Sequence, residues 1–207
     1  MTGIDVSYFQ ETINWDLVKP HIDFAMIRAG FGANNIDIKA ARNVSECQRL
    51  DIPWGLYWFS YALSPEMARK EADYLISFVG DKKVPFPLAY DFEYASLNYC
   101  LRNGVKPGRN FVIAVTDAFC SRLEEKGFYA VFYTNNDYLL RYYHSSKITE
   151  KYDMWYARYN NAPGIKCGMW QKSDKGTIPG IKGKVDLDEA FHNYPVIMDK
   201  NDLNNYK

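Results

Sequence analysis

The sequence predicts an irregular (β/α) barrel, with eight mostly parallel strands and fewer than eight helices. Three observations carry this. Eight short apolar runs recur along the chain, at 3–7, 24–30, 54–60, 86–93, 128–134, 154–159, 168–172 and 185–191. Helical patterns separate the first five of them, the alternation from which parallel barrels are built. The turn after the first run, Asp5-Val6-Ser7-Tyr8, lacks the glycines of a doubly wound nucleotide-binding sheet, which makes that architecture the second choice.

The elements follow in order. After Gly3–Ser7, Asn14 is placed to cap a short helix over Trp15–Lys19 that Pro20 stops. Phe24–Gly30 is apolar on both faces, as a buried parallel strand must be. A helix is expected from about Asp37 to Leu50, with Ala40, Ala41, Val44 and Cys47 on one side. The third strand is Trp54–Ser60. Ser64-Pro65 then opens a helix that Gly80 ends. The fourth strand, Phe86–Glu93, is entered through Pro85 and Pro87. The longest helix runs from about Gly108 to Lys126, and Gly127 closes it before the fifth strand, Phe128–Thr134. The last three runs, Met154–Tyr159, Gly168–Lys172 and Val185–Phe191, stand with short helices or none between them. No repeat or linker divides the chain, so one domain is expected over 1–207, with a core at about 3–191 and a polar tail at 195–207 that wraps the body or hangs loose.

Lys plus Arg and Asp plus Glu are equal at 25 each among 207 residues, which argues against a nucleic-acid binder held by phosphate contacts. No run is long and apolar enough to insert in a membrane. Residues 1–10 have neither the basic nor the apolar stretch of a secretory signal. Cys47, Cys100, Cys120 and Cys167 form no C-x-x-C pair and are expected to be reduced thiols, two of them inside helices. Aromatic residues reach 16%, with 17 Tyr, and part of that surplus suits a groove for flat polar rings such as sugars; an aromatic-rich core is the alternative.

The acids are more telling. Asp5 closes the first strand, Asp91 and Glu93 close the fourth, and Asp186 lies in the eighth. In a parallel barrel all strands end on one face, and the first and last strands are neighbours, so Asp5 and Asp186 should meet. Asp91 and Glu93, two apart, share one side of their strand at roughly 6–7 Å. Crowded carboxylates favour protonation of one of them, and a carboxylic acid that keeps its proton near neutrality can serve a departing glycosidic oxygen. A lone D-x-E is more often a solvated strand end; four acids gathered at one mouth weigh against that. A divalent metal on these acids ranks second, for want of a loop of alternating ligands. His21, His144 and His192 are scattered and pair with no nucleophile elbow. No cofactor or metal is expected.

These motifs together resemble the glycoside hydrolase family 25 muramidases, lysozymes of the Chalaropsis type. Gly3-Ile4-Asp5-Val6-Ser7 with Phe9-Gln10 resembles the family's opening motif, and Asn14-Trp15 with Phe24–Gly32 its next stretch. Asp37 and Asn43, Gly55-Leu56-Tyr57, Ala89–Glu93, Trp155–Tyr159, Trp170-Gln171 and Val185-Asp186-Leu187 follow in the family's order. The resemblance implies an irregular barrel that hydrolyses the β-1,4 bond between N-acetylmuramic acid and N-acetylglucosamine in peptidoglycan. It implies Glu93 as general acid, Asp91 as partner carboxylate, and Asp5 and Asp186 as the further active-site acids. It also implies action outside the cell on the wall, reached through phage lysis machinery, another route or a trimmed leader; a monomer is expected. Two positions depart from the family pattern. Trp58 replaces a common His, with an expected effect on a sugar subsite, and Asp188 replaces a common Asn, with an expected effect on Glu93.

Tyr57, Trp58, Tyr90, Tyr133, Trp155, Tyr159 and Trp170 fall at or near strand ends. A subset of them is expected to stack on sugar faces, with the barrel core the better reading for Tyr90 and Trp155. Arg28 is expected to pair with an internal carboxylate, a contact that would help hold Asp5 or Asp91 ionised. Gln171 is a candidate for hydrogen-bonding substrate. A non-catalytic peptidoglycan-binding module and a glycosidase of other specificity, such as a chitinase, stand as alternatives. The intact acids weigh against the first, and the absence of a longer acidic run before Glu93 weighs against the second.

Overall fold

A computed structural model describes residues 1–203. Its strands are β1 (Thr2–Val6), β2 (Phe24–Phe31), β3 (Asn35–Ile36), β4 (Trp54–Phe59), β5 (Leu88–Asp91), β6 (Ala130–Asn135), β7 (Asp153–Ala157), β8 (Met169–Gly176) and β9 (Val185–Ala190). Its α-helices are α1 (Trp15–Val18), α2 (Ala40–Arg49), α3 (Pro65–Val79), α4 (Tyr94–Arg102), α5 (Arg109–Glu125), α6 (Asn136–Tyr138), α7 (Ile148–Lys151) and α8 (Tyr194–Lys200). The sheet runs β1-β9-β8-β7-β6-β5-β4-β2-β3, and β1 also pairs with β2. That pairing closes an eight-stranded barrel and leaves β3 as a short arm on β2.

The strands from β1 to β8, β3 apart, pair in parallel around the barrel. The last strand does not: β9 is antiparallel to both β8 and β1. A parallel return needs a crossover of about a dozen residues or more, whereas a hairpin needs few. The hairpin is how residues 177–184 close the barrel without a helix. The described residues hold eight α-helices rather than fewer than eight, but α6 and α7 are single turns of three or four residues, so the second half of the barrel is thinly covered, as the sequence implies.

Two apolar layers hold the barrel. Outward-facing strand residues such as Ile4, Leu56, Trp58, Tyr90 and Phe132 meet helix residues such as Leu75, Val115 and Phe119. Inside the barrel lie Phe24, Met26, Ala89, Val131 and Met169. Gly3 makes room for this filling, because a Cβ there would come within 2.6 Å of the Phe24 ring. Phe24 stacks on Phe86 at 4.3 Å, and Phe86 meets Tyr194 of α8 at 5.1 Å. Helix α8 thus plugs the floor, its start fixed by Pro195 in the first turn and by the Tyr194 hydroxyl, which donates to Asp153 at 2.6 Å. The expected polar tail therefore wraps the body as far as Leu203; its residues 204–207 lie outside the described residues.

The expected helices at 64–80 and 108–126 form as α3 and α5, with the Ser64 hydroxyl accepting from the Met67 amide at 3.2 Å. Helix α4 was not expected. All four cysteines are buried free thiols, three of them in helices (Cys47, Cys100 and Cys120) rather than two. No helix among the described residues is long and apolar enough to cross a membrane.

Candidate active site

Strand alternation builds the site. On β1, Ile4 and Val6 face the outer layer, so Asp5 faces inward. Asp186 pairs with Asp5 in the β1–β9 ladder. Asp186 stands near the start of β9, and it reaches the mouth because β9 runs backwards. Asp91 is the last residue of β5. The chain stays extended through Glu93 (φ −126°, ψ −169°), so the alternation carries past the strand. Phe92 turns outward against Tyr90 and Tyr138, while Glu93 returns to the side of Asp91. Glu93 also begins α4, its amide donating to the buried Ser96 hydroxyl at 3.1 Å.

The four acids line one pocket of about 200 Å³, with Tyr57, Tyr133 and Trp155 among its walls. Arg28 and Gln171 line it too, but their polar groups point inward to the protein. Arg28 pairs with the buried Asp37 through Nε at 2.9 Å and a terminal nitrogen at 2.8 Å, so the expected internal carboxylate is Asp37. Its charge still acts to lower the pKa of Asp91. Gln171 donates to Asp5 at 2.7 Å and accepts from the hydroxyls of Tyr133 at 2.9 Å and Tyr159 at 3.0 Å. It is a brace between β1, β6 and the rim rather than a free amide for substrate. Tyr159 is half exposed at that rim.

Trp58 and Trp170 are not brought to the pocket, and their expected place beside sugar is corrected. Trp58 is fully buried in the outer layer, donating to the Gly32 carbonyl at 3.2 Å and lying against Tyr74 of α3. Trp170 donates to the Arg158 carbonyl at 2.8 Å from the same outer layer. Alternation decides both: Tyr57 and Phe59 face the pocket, so Trp58 cannot, and Gln171 excludes Trp170 in the same way. Tyr90 is core, bonded to the Ser60 hydroxyl at 3.0 Å. Trp155 is buried yet forms pocket wall, edge-on to Tyr57 and Tyr133.

Ser7, Phe9, Gln10 and Phe59 also line the pocket without having been singled out as site residues. A signal for two of them was present. Ser7-x-x-Gln10 has the spacing of a capping box, and the two side chains do cap the turn at Tyr8–Gln10 reciprocally.

Burial dominates the electrostatics. It pushes Glu93 up to about 7, with the charge of Asp186 acting in the same direction and a hydrogen bond from Asp91 opposing. Asp91 is held well above the ordinary carboxylate range by burial and then by Glu93. The two carboxyls therefore retain a proton between them at neutral pH. Burial, then Asp174, raises Asp186 to about 6. Asp5 is raised by burial, then by Asp188 and Asp186. Asp188 does not act where it was expected to: it lies deep beside Asp5, and the charges raising Glu93 do not include it. No group of three or more His, Cys, Asp or Glu among the described residues is arranged to hold a metal. A proton-bearing carboxyl beside a second carboxyl, in a pocket shielded from bulk water, is suited to acid catalysis at a leaving oxygen.

A profile described as "Glycosyl hydrolases family 25" matches residues 4–181. Lysozyme M1 of Streptomyces globisporus is 27% identical over 197 residues, covering 89% of this chain and 65% of its own. The bacterial lysozyme from Streptomyces coelicolor superposes with a TM-score of 0.82 at 23% identity, over 98% of this chain and 97% of that one. The modular autolysin LytC from Streptococcus pneumoniae, solved in complex with a synthetic peptidoglycan ligand, gives a TM-score of 0.78 at 23% identity, over 90% of this chain. The chain spans about half of LytC, 46% of its length. With the matched profile covering most of its length, the chain belongs to glycosyl hydrolase family 25.

Proposed function

We propose that this chain is a muramidase that hydrolyses the β-1,4 bond between N-acetylmuramic acid and N-acetylglucosamine in bacterial peptidoglycan. The observation that carries this reading is the Asp91–Glu93 pair at the pocket, retaining a proton near neutrality. Glu93 gives that proton to the glycosidic oxygen as the C1–O bond breaks. Asp91, ionised as the proton leaves, faces the positive charge developing on the sugar. Glu93 then recovers a proton from the water that attacks C1. Asp5 and Asp186 complete the acidic wall, and Tyr57, Tyr133 and Tyr159 offer aromatic area with polar tips to the sugar.

The family and the lysozymes and autolysin of the same fold support peptidoglycan as the substrate. On this reading the chain works outside the cell, at the wall, as one catalytic domain and a monomer. A binding module that had lost turnover would have no need of a proton-holding pair. Purified peptidoglycan tests the proposal: its turbidity should fall, and the new reducing ends should be muramic acid. Unchanged turbidity would point to the binding module. New reducing ends at N-acetylglucosamine, or cleavage of chitin alone, would point to a glycosidase of other specificity.

A further inference from the structure

Asp188 lies two residues beyond Asp186 on the same inward face of β9 and is fully buried. Its Oδ1 accepts from the Trp155 indole N–H at 2.8 Å. Its Oδ2 is buried and receives no hydrogen bond from any nitrogen or hydroxyl among the described residues. Gly3, its partner across the β1–β9 ladder, has no side chain to offer. The group beside it is the carboxyl of Asp5, itself buried and fixed by Gln171 at 2.7 Å.

The other charged groups acting on Asp188 do not resolve this. Asp186 on β9 adds a second negative charge. Lys172 on β8 supplies the opposing cation, but it is a third exposed and is paired with Glu189 at 3.6 Å. From β7 comes only the neutral indole. Two ionised carboxylates side by side, with no cation between them, repel; one O–H between them turns that contact into a charge-assisted hydrogen bond.

We propose that Asp188 and Asp5 share one proton, which makes Asp188 a positioning residue that holds Asp5 against Gln171. Through Gln171 the same bridge steadies Tyr133 and Tyr159 at the pocket. When the proton leaves, the two anions push apart, Asp5 is driven off Gln171 and that wall loosens. This rests on the muramidase reading only where it says that Asp5 serves the reaction. Burial, which raises Asp188 to about 7 and Asp5 well above the carboxylate range, keeps the proton in place through neutrality. Both folded-state values lie above those of the unfolded chain. The stabilisation is therefore present in full below about pH 4 and is lost as pH rises toward and through about 7.

Asp188→Asn tests this, because the amide keeps an acceptor for Trp155 and gives Asp5 an N–H that does not titrate. The fall in Tm between pH 5.5 and 8 should be smaller in the variant than in the wild type by about 3 °C or more. The alkaline limb of kcat/KM on peptidoglycan should become shallower, because only the proton on Glu93 is then lost there. In the wild type the Trp155 indole N–H resonance, assigned with Trp155→Phe, should titrate near neutrality, and in D188N the amplitude of that titration should fall severalfold, to what the titration of Glu93 across the pocket leaves. The same Tm dependence in both proteins, or a wild-type indole signal that does not move between pH 5 and 8, would overturn the shared proton. The wild-type titration decides the matter even where D188N does not fold. If the wild type hydrolyses no wall, the functional reading fails, while the Tm and indole measurements still judge the proton bridge.

Discussion

Replacing Glu93 by Gln is expected to lower kcat on purified peptidoglycan by about 10²–10⁴-fold, the range that a positioned general acid contributes. The amide has the shape of the acid but no proton to give. The fold should survive, because no cation among the described residues acts on Glu93 and its buried carboxyl already favours the neutral state. At the start of α4 the Glu93 amide donates to the Ser96 hydroxyl while the Glu93 side chain accepts from the Ser96 amide, and a glutamine carbonyl oxygen keeps that acceptor. Initial rates with circular dichroism at matched pH check this. A kcat within a few fold of wild type, in a protein that remains folded, would remove Glu93 from the role of acid.

The second large effect is expected at Asp91. Asp91→Asn removes the charge that faces the developing positive charge on the sugar, and kcat should fall by about 10²–10³-fold, as when one oriented electrostatic partner is taken from a transition state. Little should change in the ground state. Arg28 keeps its partner Asp37, so no cation is stranded, and an amide N–H can still donate to Glu93 as the Asp91 carboxyl does. The comparison of kcat with KM is therefore the informative measurement. A fall in kcat and kcat/KM alike marks an interaction made in the transition state, whereas a rise in KM alone would make Asp91 a binding residue.

Much of this architecture is legible in local patterns. The apolar runs become the barrel strands because both faces of a parallel strand are covered, and β2 is buried along almost all of its length. The Ser64-Pro65 start and the glycine stops mark α3 and α5 because caps are local chemistry. The meeting of Asp5 with Asp186 follows from barrel closure, a global fact that the order of strands implies. The direction of β9 is not encoded locally: an antiparallel closing strand and a parallel one share the same alternation, and the shortness of the connection decides between them. Helix α4 escapes notice because it is nine residues long and begins directly after the strand-end acids, with no Pro or Ser-Pro start of the kind that marks α3. Trp58 and Trp170 were misplaced by proximity to strand ends, although parity excludes them once Tyr57 and Gln171 face inward. Asp37 as the partner of Arg28 depends on the turn through β3 that folds residue 37 back onto β2, and Gln171 as a brace for Asp5 on side-chain geometry between distant segments, neither of which spacing reveals.

Acid catalysis in this pocket requires that Glu93 keep a proton near neutrality. Carbon-13 NMR of protein labelled at the glutamate side-chain carboxyl, with Glu93 assigned through E93Q, reads this without any substrate. A titration midpoint near 7 is expected for Glu93. A midpoint close to 4.5, the ordinary glutamate value, would contradict it.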